Sequence, residues 1–255
     1  MRQHFLSGFR AGVETVDWLK LMTTASHNES AVGGTAEARH RVIAIDGPAA
    51  SGKSTVARRV AESLGFLYVN SGAMYRAITW QALDQGADCS DRDAVLALLE
   101  STEFTCEESD GAGVIGLNGA VAGDEVHGAE VNANVSRIAA YPEVRDRIFE
   151  VLQAFPKKAD VVMEGRDIGS VVFPDTPYKF YIDASPEIRE ARRRAQGLED
   201  SIADRDRQDS TRKAAPLMIA DDAEVIDSSH LGVDDVVTAV RERLAAKGVD
   251  EAKSV

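Results

Sequence analysis

The chain has 255 residues, and its 29 Lys and Arg against 42 Asp and Glu give a formal net charge of −13. Hydrophobic residues make up 44% and charged residues 28% of the chain, which excludes a disordered or fibrous protein. The acidity argues against non-specific binding of nucleic acid, which needs net positive charge to release counterions.

Cysteine usage and hydropathy narrow the class further. Cys89 and Cys106 are too few for a disulfide framework and lack the spacing of zinc ligands. No apolar run approaches the ~18 residues that a membrane helix needs. A secretory signal is not expected, because charged residues such as Arg10 and Glu14 interrupt the N-terminal stretch. We therefore expect a cytoplasmic monomer with no nucleic-acid or membrane partner.

Residues 1–40 differ in character from the rest of the chain. A weakly amphipathic stretch from Phe5 to Met22 precedes a Ser/Thr/Gly/Asn-rich stretch over 23–35, which is typical of a linker. We expect a flexible N-terminal appendage over 1–40, a domain over 41–246 and a tail over 247–255. The alternative that translation starts at Met22 or a later site stays open at this point.

Short β-branched strands alternate with helical segments from residue 41 onward. Strands are predicted at 42–45, 66–69, 160–163, 179–182 and 225–226, and helices at 53–64, 72–86, 91–99, 129–139, 143–155, from about 186, and at 233–246. The alternating pattern over 102–122, with Asn118-Gly119 as a turn signal, predicts a small antiparallel insert. This order of elements is typical of an α/β protein with a parallel sheet.

A glycine-rich segment follows the first strand and opens a helix. It fits the pattern G-x-x-x-x-G-K-[ST] and consists of Gly47, Pro48, Ala49, Ala50, Ser51, Gly52, Lys53 and Ser54, followed by Thr55. Backbone N–H groups and the helix N-terminus would hold phosphates, Lys53 would reach the β- and γ-phosphates, and the Ser54 hydroxyl would ligate Mg²⁺. The alternative is an ordinary glycine-rich turn. The loop predicts a nucleoside triphosphate but no particular reaction, because GTPases, ATPases, kinases and motor proteins share it.

Polar residues also follow the second and third strands, at the edge where parallel sheets bind ligands. Arg76 lies one turn into the helix after the second strand, and Arg166-Asp167 follows the third. A guanidinium suits a phosphate, and a carboxylate can accept from an exocyclic amino group such as cytosine N4. The competing interpretations are a solvated helix residue for Arg76 and a structural ion pair for Arg166 and Asp167.

The segment 189–213 is unusually basic for an acidic chain. Its cationic residues are Arg189, Arg192, Arg193, Arg194, Arg205, Arg207, Arg212 and Lys213. This density is typical either of a solvated, salt-bridged helix pair or of a lid whose arginines neutralise a transferring phosphoryl group.

Together these features favour transfer to a phosphate rather than to a hydroxyl. A phosphate oxygen is already anionic near neutral pH, since its second pKa is ~6, and therefore needs no general base. The chain supplies many arginines, whereas His40, His127 and His230 are isolated in the sequence.

These segments resemble the bacterial cytidylate kinases, the (d)CMP kinases of the nucleoside monophosphate kinase group. The matching segments, in the family's order over about 41–246, are Ile45-Asp46-Gly47-Pro48, Ser71-Gly72-Ala73-Met74-Tyr75-Arg76, Gly165-Arg166-Asp167-Ile168-Gly169, Val171-Val172-Phe173-Pro174, Asp183-Ala184-Ser185 and Ala215-Pro216-Leu217. The resemblance implies a five-stranded parallel P-loop kinase core with helices on both faces. It also implies a monophosphate-side insert at about 88–130 and a short lid at about 186–213.

The resemblance further implies transfer of the γ-phosphoryl group of ATP to CMP or dCMP, with Mg²⁺, ATP bound by residues 47–55, and Mg²⁺ on Ser54. The implied catalytic residues are Lys53, Arg166 and Arg212. The implied CMP ligands are Ser71 at the acceptor pocket, Arg76, Arg166 and Arg212 at the phosphate, Ser136, Arg145 and Asp167 at the cytosine edge, and Arg205 and Asp209 at the ribose. Arg192 and Arg193 are candidate contacts of the γ-phosphate.

Three features depart from the family's usual pattern. Glu125-Val126-His127-Gly128 stands where many members have Glu-Ile-Arg-Thr, the lid between Arg194 and Arg205 is shorter than in many members, and residues 1–40 have no counterpart in the usual short form. Two alternatives therefore stay open, namely a kinase for another nucleotide such as UMP and a nucleotide-binding regulatory protein without turnover.

Overall fold

One sheet organises the part of the chain that the computed structural model describes, residues 40–197, 201–212 and 215–250. Its strands are β1 Val42–Asp46, β2 Leu67–Asn70, β3 Phe104–Ser109, β4 Ala112–Leu117, β5 Ala120–Val121, β6 Val161–Gly165, β7 Tyr178–Asp183 and β8 Glu224–Asp227. The helices are α1 Lys53–Leu64, α2 Ser71–Asp84, α3 Arg92–Glu100, α4 Ala129–Ile138, α5 Pro142–Leu152, α6 Pro186–Ala195, α7 Ile202–Ser210 and α8 Val233–Ala246. The predicted appendage lies outside the described residues, apart from His40.

The strand order is β3-β4-β2-β6-β1-β7-β8, with β5 paired to β4. The strands β2, β6, β1, β7 and β8 pair in parallel and confirm the five-stranded core expected from the sequence. At the end of β1, Asp46 lies opposite Gly165 of β6 and Tyr181 of β7. The segments that follow β1, β2 and β6 therefore converge at one edge of the sheet.

The predicted insert forms two tight hairpins. β3 pairs antiparallel with β4 across Asp110-Gly111, and β4 pairs antiparallel with β5 across Asn118-Gly119. The residues of both turns have positive φ, 51° and 72° in the first and 52° and 77° in the second, which suits Asp, Asn and Gly. The sequence did not reveal that β4 also pairs in parallel with β2 and so extends the central sheet.

Helices pack against both faces of the core. On one face, Val56 and Val60 of α1 and Val240 of α8 form a buried cluster with Ile43 and Ile45 of β1. Ala44, between these two isoleucines, is equally buried, as expected for a strand covered on both faces. Helix α2 contacts β6 and β4, and its residues are not part of that cluster.

The predicted helices are confirmed, with ends that differ by at most three residues from the prediction. Pro142 begins α5, and the Ser185 hydroxyl caps α6 by accepting from the Ile188 N–H at 3.4 Å. A π-helical turn at Ile168–Val172 was not predicted. Among the described helices, none has both the length and the apolar character needed to cross a membrane.

The core predicts a large effect of truncating Phe180, which is 1% exposed in β7. Phe180→Ala should lower the free energy of unfolding by about 3–5 kcal/mol, because it removes buried apolar contacts and leaves a cavity. Urea denaturation measures this change. Val225→Ala, on the neighbouring strand at a side chain that is 49% exposed, is the matched control and should stay within about 0.5 kcal/mol. Similar losses for both variants would contradict this account of the core.

Candidate active site

A cleft of about 1080 Å³ opens at the carboxyl ends of β1, β2 and β6. It is lined by the glycine-rich loop from Ala49 to Thr55 and by the first turns of α2. All of the predicted acceptor residues line it as well: Ser71, Arg76, Ser136, Arg145, Arg166, Asp167, Arg205, Asp209 and Arg212. Residues from β2, α4, α5, β6 and the helix pair α6–α7, far apart in sequence, thus meet in front of the loop.

The glycine-rich loop needs glycine at two positions for different reasons. A Cβ at Gly47 would lie 2.2 Å from the carbonyl oxygen of Ile182, so the loop leaves β1 in close contact with β7. Gly52 has φ 93° at the position that precedes α1, a conformation that side chains disfavour. The loop therefore ends at the N-terminus of α1, where the helix dipole favours an anion.

Side chains of α6 and the residues after β8 hold the loop by its carbonyl oxygens. Arg192 and the Ser228 hydroxyl donate to the Ser51 carbonyl at 3.1 and 2.8 Å. Arg189 donates to the Ala49 carbonyl at 3.4 Å and pairs with Asp206 at 2.6 Å. Arg192 lines the cleft and also donates to the Ser228 carbonyl at 2.7 Å, and its contact with the γ-phosphate stays a prediction.

Lys53 is buried at the start of α1, where its ammonium donates to the Pro48 carbonyl at 3.1 Å. Burial, together with the nearby positive charge of Arg166, lowers the pKa of Lys53 to about 7. Glu164 and Asp46 oppose this shift through their negative charges. An incoming polyphosphate would add negative charge beside Lys53 and so restore its positive form.

Asp209 of α7 is shared by two arginines of the cleft. Arg166 donates through Nε to Asp209 at 2.8 Å, and Arg212 pairs with the other carboxylate oxygen. Burial and the positive charges of Arg145 and Arg166 lower the pKa of Arg212 to about 10. The carboxylate therefore compensates two cations that the sequence assigned to the acceptor phosphate.

We call the part of the cleft that the predicted acceptor residues line its acceptor half. Arg145 and Asp167 form a buried ion pair there, and Arg145 is 1% exposed. Arg145 also donates to the Ala139 carbonyl at 3.1 Å, and its guanidinium lies 5.5 Å from the Tyr75 ring centroid. Burial raises the pKa of Asp167, and Arg145 opposes that shift. Arg166 pairs with Asp209, and Asp167 pairs with Arg145. The two charges are therefore compensated by these partners, and not by the Arg166–Asp167 pair considered from the sequence.

Asn132 of α4 lies between two arginines from different elements. Its side-chain oxygen accepts from Arg76 at 2.9 Å and from Arg205 at 3.4 Å. Its amide donates to the His127 carbonyl at 3.0 Å, which joins this contact to the segment that departs from the family pattern. The sequence did not identify Asn132, because it lies outside every motif and nothing in the neighbouring residues indicates that its side chain faces the cleft.

Two further cleft residues were also missed. Glu164, 2% exposed at the end of β6, accepts from the Tyr68 hydroxyl at 2.8 Å, and its backbone carbonyl accepts from the Ser71 hydroxyl at 2.9 Å. Tyr75 points into the same half of the cleft. Glu164 directly precedes the matched segment that begins at Gly165, and Tyr75 lies within a matched segment. This proximity to the matched segments was the signal that could have identified both residues.

Three side chains that line the cleft carry buried donor atoms. Among the described residues, Tyr75 Oη, Arg145 Nε and Arg212 Nε are buried and have no hydrogen-bond partner. A tyrosine hydroxyl and two guanidinium N–H groups can all donate to oxygen atoms of a ligand. The acceptor half is thus suited to an anionic, oxygen-rich molecule.

The residues present fit a magnesium ion that arrives with its phosphates. Ser54 is exposed to the cleft at the start of α1. No group of three or more His, Cys, Asp or Glu in the described ranges could hold a metal by itself. Mg²⁺ commonly keeps several waters and binds through few protein ligands plus substrate phosphates, which matches one hydroxyl beside a phosphate loop.

The parallel core, the glycine-rich loop and the facing arginines define a P-loop phosphotransferase. The family model for cytidylate kinase matches residues 43–246. A cytidylate kinase of Shouchella clausii is 44% identical over 78% of this chain and 93% of its own length, and one of Pelotomaculum thermopropionicum is 42% identical over 80% and 96%. A solved structure of shikimate kinase from Acinetobacter baumannii aligns with 83% of this chain and 96% of its own, at 13% identity and a TM-score of 0.43. On the family model and the two sequence relatives, the chain belongs to the cytidylate kinase family.

The lowered pKa of Lys53 predicts proton uptake when ATP binds. At pH 8 the Lys53 side chain of the free protein is mostly the neutral amine. The triphosphate should return it to the charged ammonium form, so uptake should approach about one proton. Calorimetric titration of Mg·ATP in two buffers with different ionisation enthalpies measures this number. Lys53→Met is the control and should show no uptake. A wild-type value near zero would contradict the assigned state of Lys53.

Proposed function

We propose that the chain transfers the γ-phosphoryl group of ATP to CMP or dCMP, giving ADP and CDP or dCDP. Membership of the cytidylate kinase family supports this reaction. The observation that carries the proposal at residue level is that the glycine-rich loop and every predicted acceptor residue line one cleft. The donor and the acceptor can therefore lie face to face.

In the proposed reaction, an oxygen of the CMP phosphate attacks the γ-phosphorus, and the bond to the β–γ bridging oxygen breaks as ADP leaves. The attacking oxygen is already anionic, so the site needs positioning and charge neutralisation rather than a general base. Lys53 stabilises the β- and γ-phosphates. Arg166 and Arg212 would neutralise the negative charge that builds up between donor and acceptor, and Arg76 would hold the acceptor phosphate with them.

Mg²⁺ belongs to this proposal as the partner of ATP. Ser54 would hold it, and the ion would supply charge neutralisation between the phosphates. The residues from Gly47 to Thr55 contribute the backbone that surrounds the triphosphate.

Recognition of cytosine is assigned to Ser136, Arg145 and Asp167. The carboxylate of Asp167 would accept from the exocyclic amino group, while the ion pair with Arg145 orients it and favours its ionised form. UMP presents an oxygen at the same place, so lone pairs would face each other and UMP should be a slower acceptor. The ribose is assigned to Arg205 and Asp209. Because Asp209 pairs with Arg166 and Arg212 in this structure, its contact with the ribose requires the cleft to rearrange around CMP.

The lid of the proposal comprises α6 and α7, within about 186–213. Closure of these helices over both substrates would exclude water and suppress ATP hydrolysis. Residues 198–200 and Lys213 lie outside the described part of the chain. The monomeric state and the cytoplasmic location stay predictions.

The acceptor panel is the first test of this function. With Mg·ATP, fast release of ADP is expected for CMP and dCMP, and only slow release for UMP, AMP, GMP or no acceptor. A coupled assay of ADP measures it. Fast turnover with another acceptor would overturn the assignments of Ser136, Arg145 and Asp167. Binding of ATP without turnover for any acceptor would instead favour the regulatory alternative, which the family comparisons do not.

A single substitution tests the base contact. Asp167→Asn should lower kcat/KM for CMP by about 10–100-fold, the range expected for loss of a buried charged hydrogen bond, and leave kcat/KM for UMP nearly unchanged. Steady-state kinetics with both acceptors measure the ratio, and a melting curve verifies that the variant is folded. Asp146→Asn, an exposed neighbour of Arg145, is the matched control. Equal losses for CMP and UMP would make Asp167 a purely structural residue.

A further inference from the structure

Asp46 is a buried carboxylate to which the proposed reaction gives no role. It is the last residue of β1, 6% exposed, and directly precedes the glycine-rich loop. One carboxylate oxygen accepts from the backbone N–H of Ile168 at 2.9 Å, and the other accepts from the N–H of Gly169 at 2.7 Å. Both bonds join β1 to a segment more than 120 residues further along the chain.

The two N–H groups belong to the residues that immediately follow Arg166 and Asp167. They open the π-helical turn Ile168–Val172, and the Ile168 side chain is completely buried. On the other side, β-pairing fixes Gly165 opposite Asp46. Arg166 and Asp167 therefore lie on a short bridge whose two ends are both fastened to the end of β1.

We propose that Asp46 is a positioning residue for the acceptor nucleotide, because its carboxylate fixes the bridge that presents Arg166 and Asp167 to the cleft. The role rests on the proposed function, since the acceptor is the molecule that these two residues would bind. Asp46 itself does not line the cleft.

A carboxylate is the side chain that this position requires. Two neighbouring N–H groups need two acceptor oxygens, and both must be supplied in a buried place. An asparagine would offer one oxygen and turn its own NH₂ toward the second N–H. The bridge would then lose one anchor and be displaced from that side.

Asp46 could also affect the reaction through Lys53 instead of through the bridge. The negative charge of Asp46 interacts with the positive charge of Lys53, whose ammonium would bind the phosphates of ATP. Asp46 also interacts electrostatically with Arg166, Asp167 and Tyr181. If Asp46 served only to compensate Lys53, its loss would change the binding of ATP. If it anchors the bridge, its loss should change the binding of CMP.

The test compares KM for the two substrates in Asp46→Asn and wild-type protein. We expect KM for CMP to rise about tenfold, the loss expected for an anchoring hydrogen bond to a charged group, and KM for ATP to stay within about twofold. The decisive quantity is the ratio of KM for CMP to KM for ATP. A rise in this ratio of about fivefold or more supports the proposal, and any smaller change overturns it.

The matched control is Asp160→Asn at the opposite end of the sheet. The Asp160 carboxylate also accepts a backbone N–H, that of Arg41 at 2.6 Å, and is remote from the cleft. This variant should melt at a lower temperature with an unchanged KM ratio, which shows what a structural loss alone does. Asp46→Ser serves if Asp46→Asn does not fold, because the shorter serine side chain withdraws the acceptor oxygens from both N–H groups without placing an NH₂ group against either. Its KM ratio is judged by the same criterion.

Failure of the proposed function gives a different result from failure of this inference. If wild-type protein does not turn over CMP, the function is wrong and Asp46 has no acceptor to position. If wild-type protein turns over CMP and the variant keeps the wild-type KM ratio, the function stands and the inference is wrong.

Discussion

Buried positive charge is the constraint around which the cleft is built. A site for a triphosphate and a monophosphate must hold several cations close together, and burial of each cation costs desolvation free energy. In this structure carboxylates and carbonyls compensate that charge: Asp209 for Arg166 and Arg212, Asp167 for Arg145, Asp206 for Arg189. The Lys53 ammonium donates to the Pro48 carbonyl, and burial beside Arg166 lowers the pKa of Lys53 to about 7.

This pattern explains why the helix pair α6–α7 is part of the cleft. Asp206 and Asp209 lie on one helix and reach the arginine behind the loop and the arginines in front of it, respectively. Substrate phosphates would take over the role of Asp209 for Arg166 and Arg212. The same carboxylate would then become available to hydroxyl groups of the sugar, so the ribose contact assigned to Asp209 follows from this exchange of partners.

How far the sequence predicted the structure depended on the range of the interaction. The loop from Gly47 to Ser54 is a local pattern and was predicted. The helix caps at Asn70, Asp91 and Ser185 are local as well, and they agree with the predicted helix starts. The cleft membership of the acceptor residues came from the family resemblance. The partners of Arg166 and Asp167 were not predictable, because Asp209 and Arg145 approach through tertiary packing. The π turn was missed for the same reason, since its first N–H groups are satisfied by a carboxylate on another strand.

The hairpin that extends the sheet has a consequence for how copies of the protein behave in concentrated solution. Within the described part of the chain, β3 and β8 are the outermost strands of the main strand order, and unpaired edges invite pairing with other chains. The exposed end of β3 carries Glu107 and Glu108, so two such edges would repel each other. At β8, Glu224 pairs with Arg243 and Lys247 of the following helix and C-terminal turn, which places charged groups along that side. Both edges are therefore poor templates for aggregation, and they shield the parallel core that lies between them.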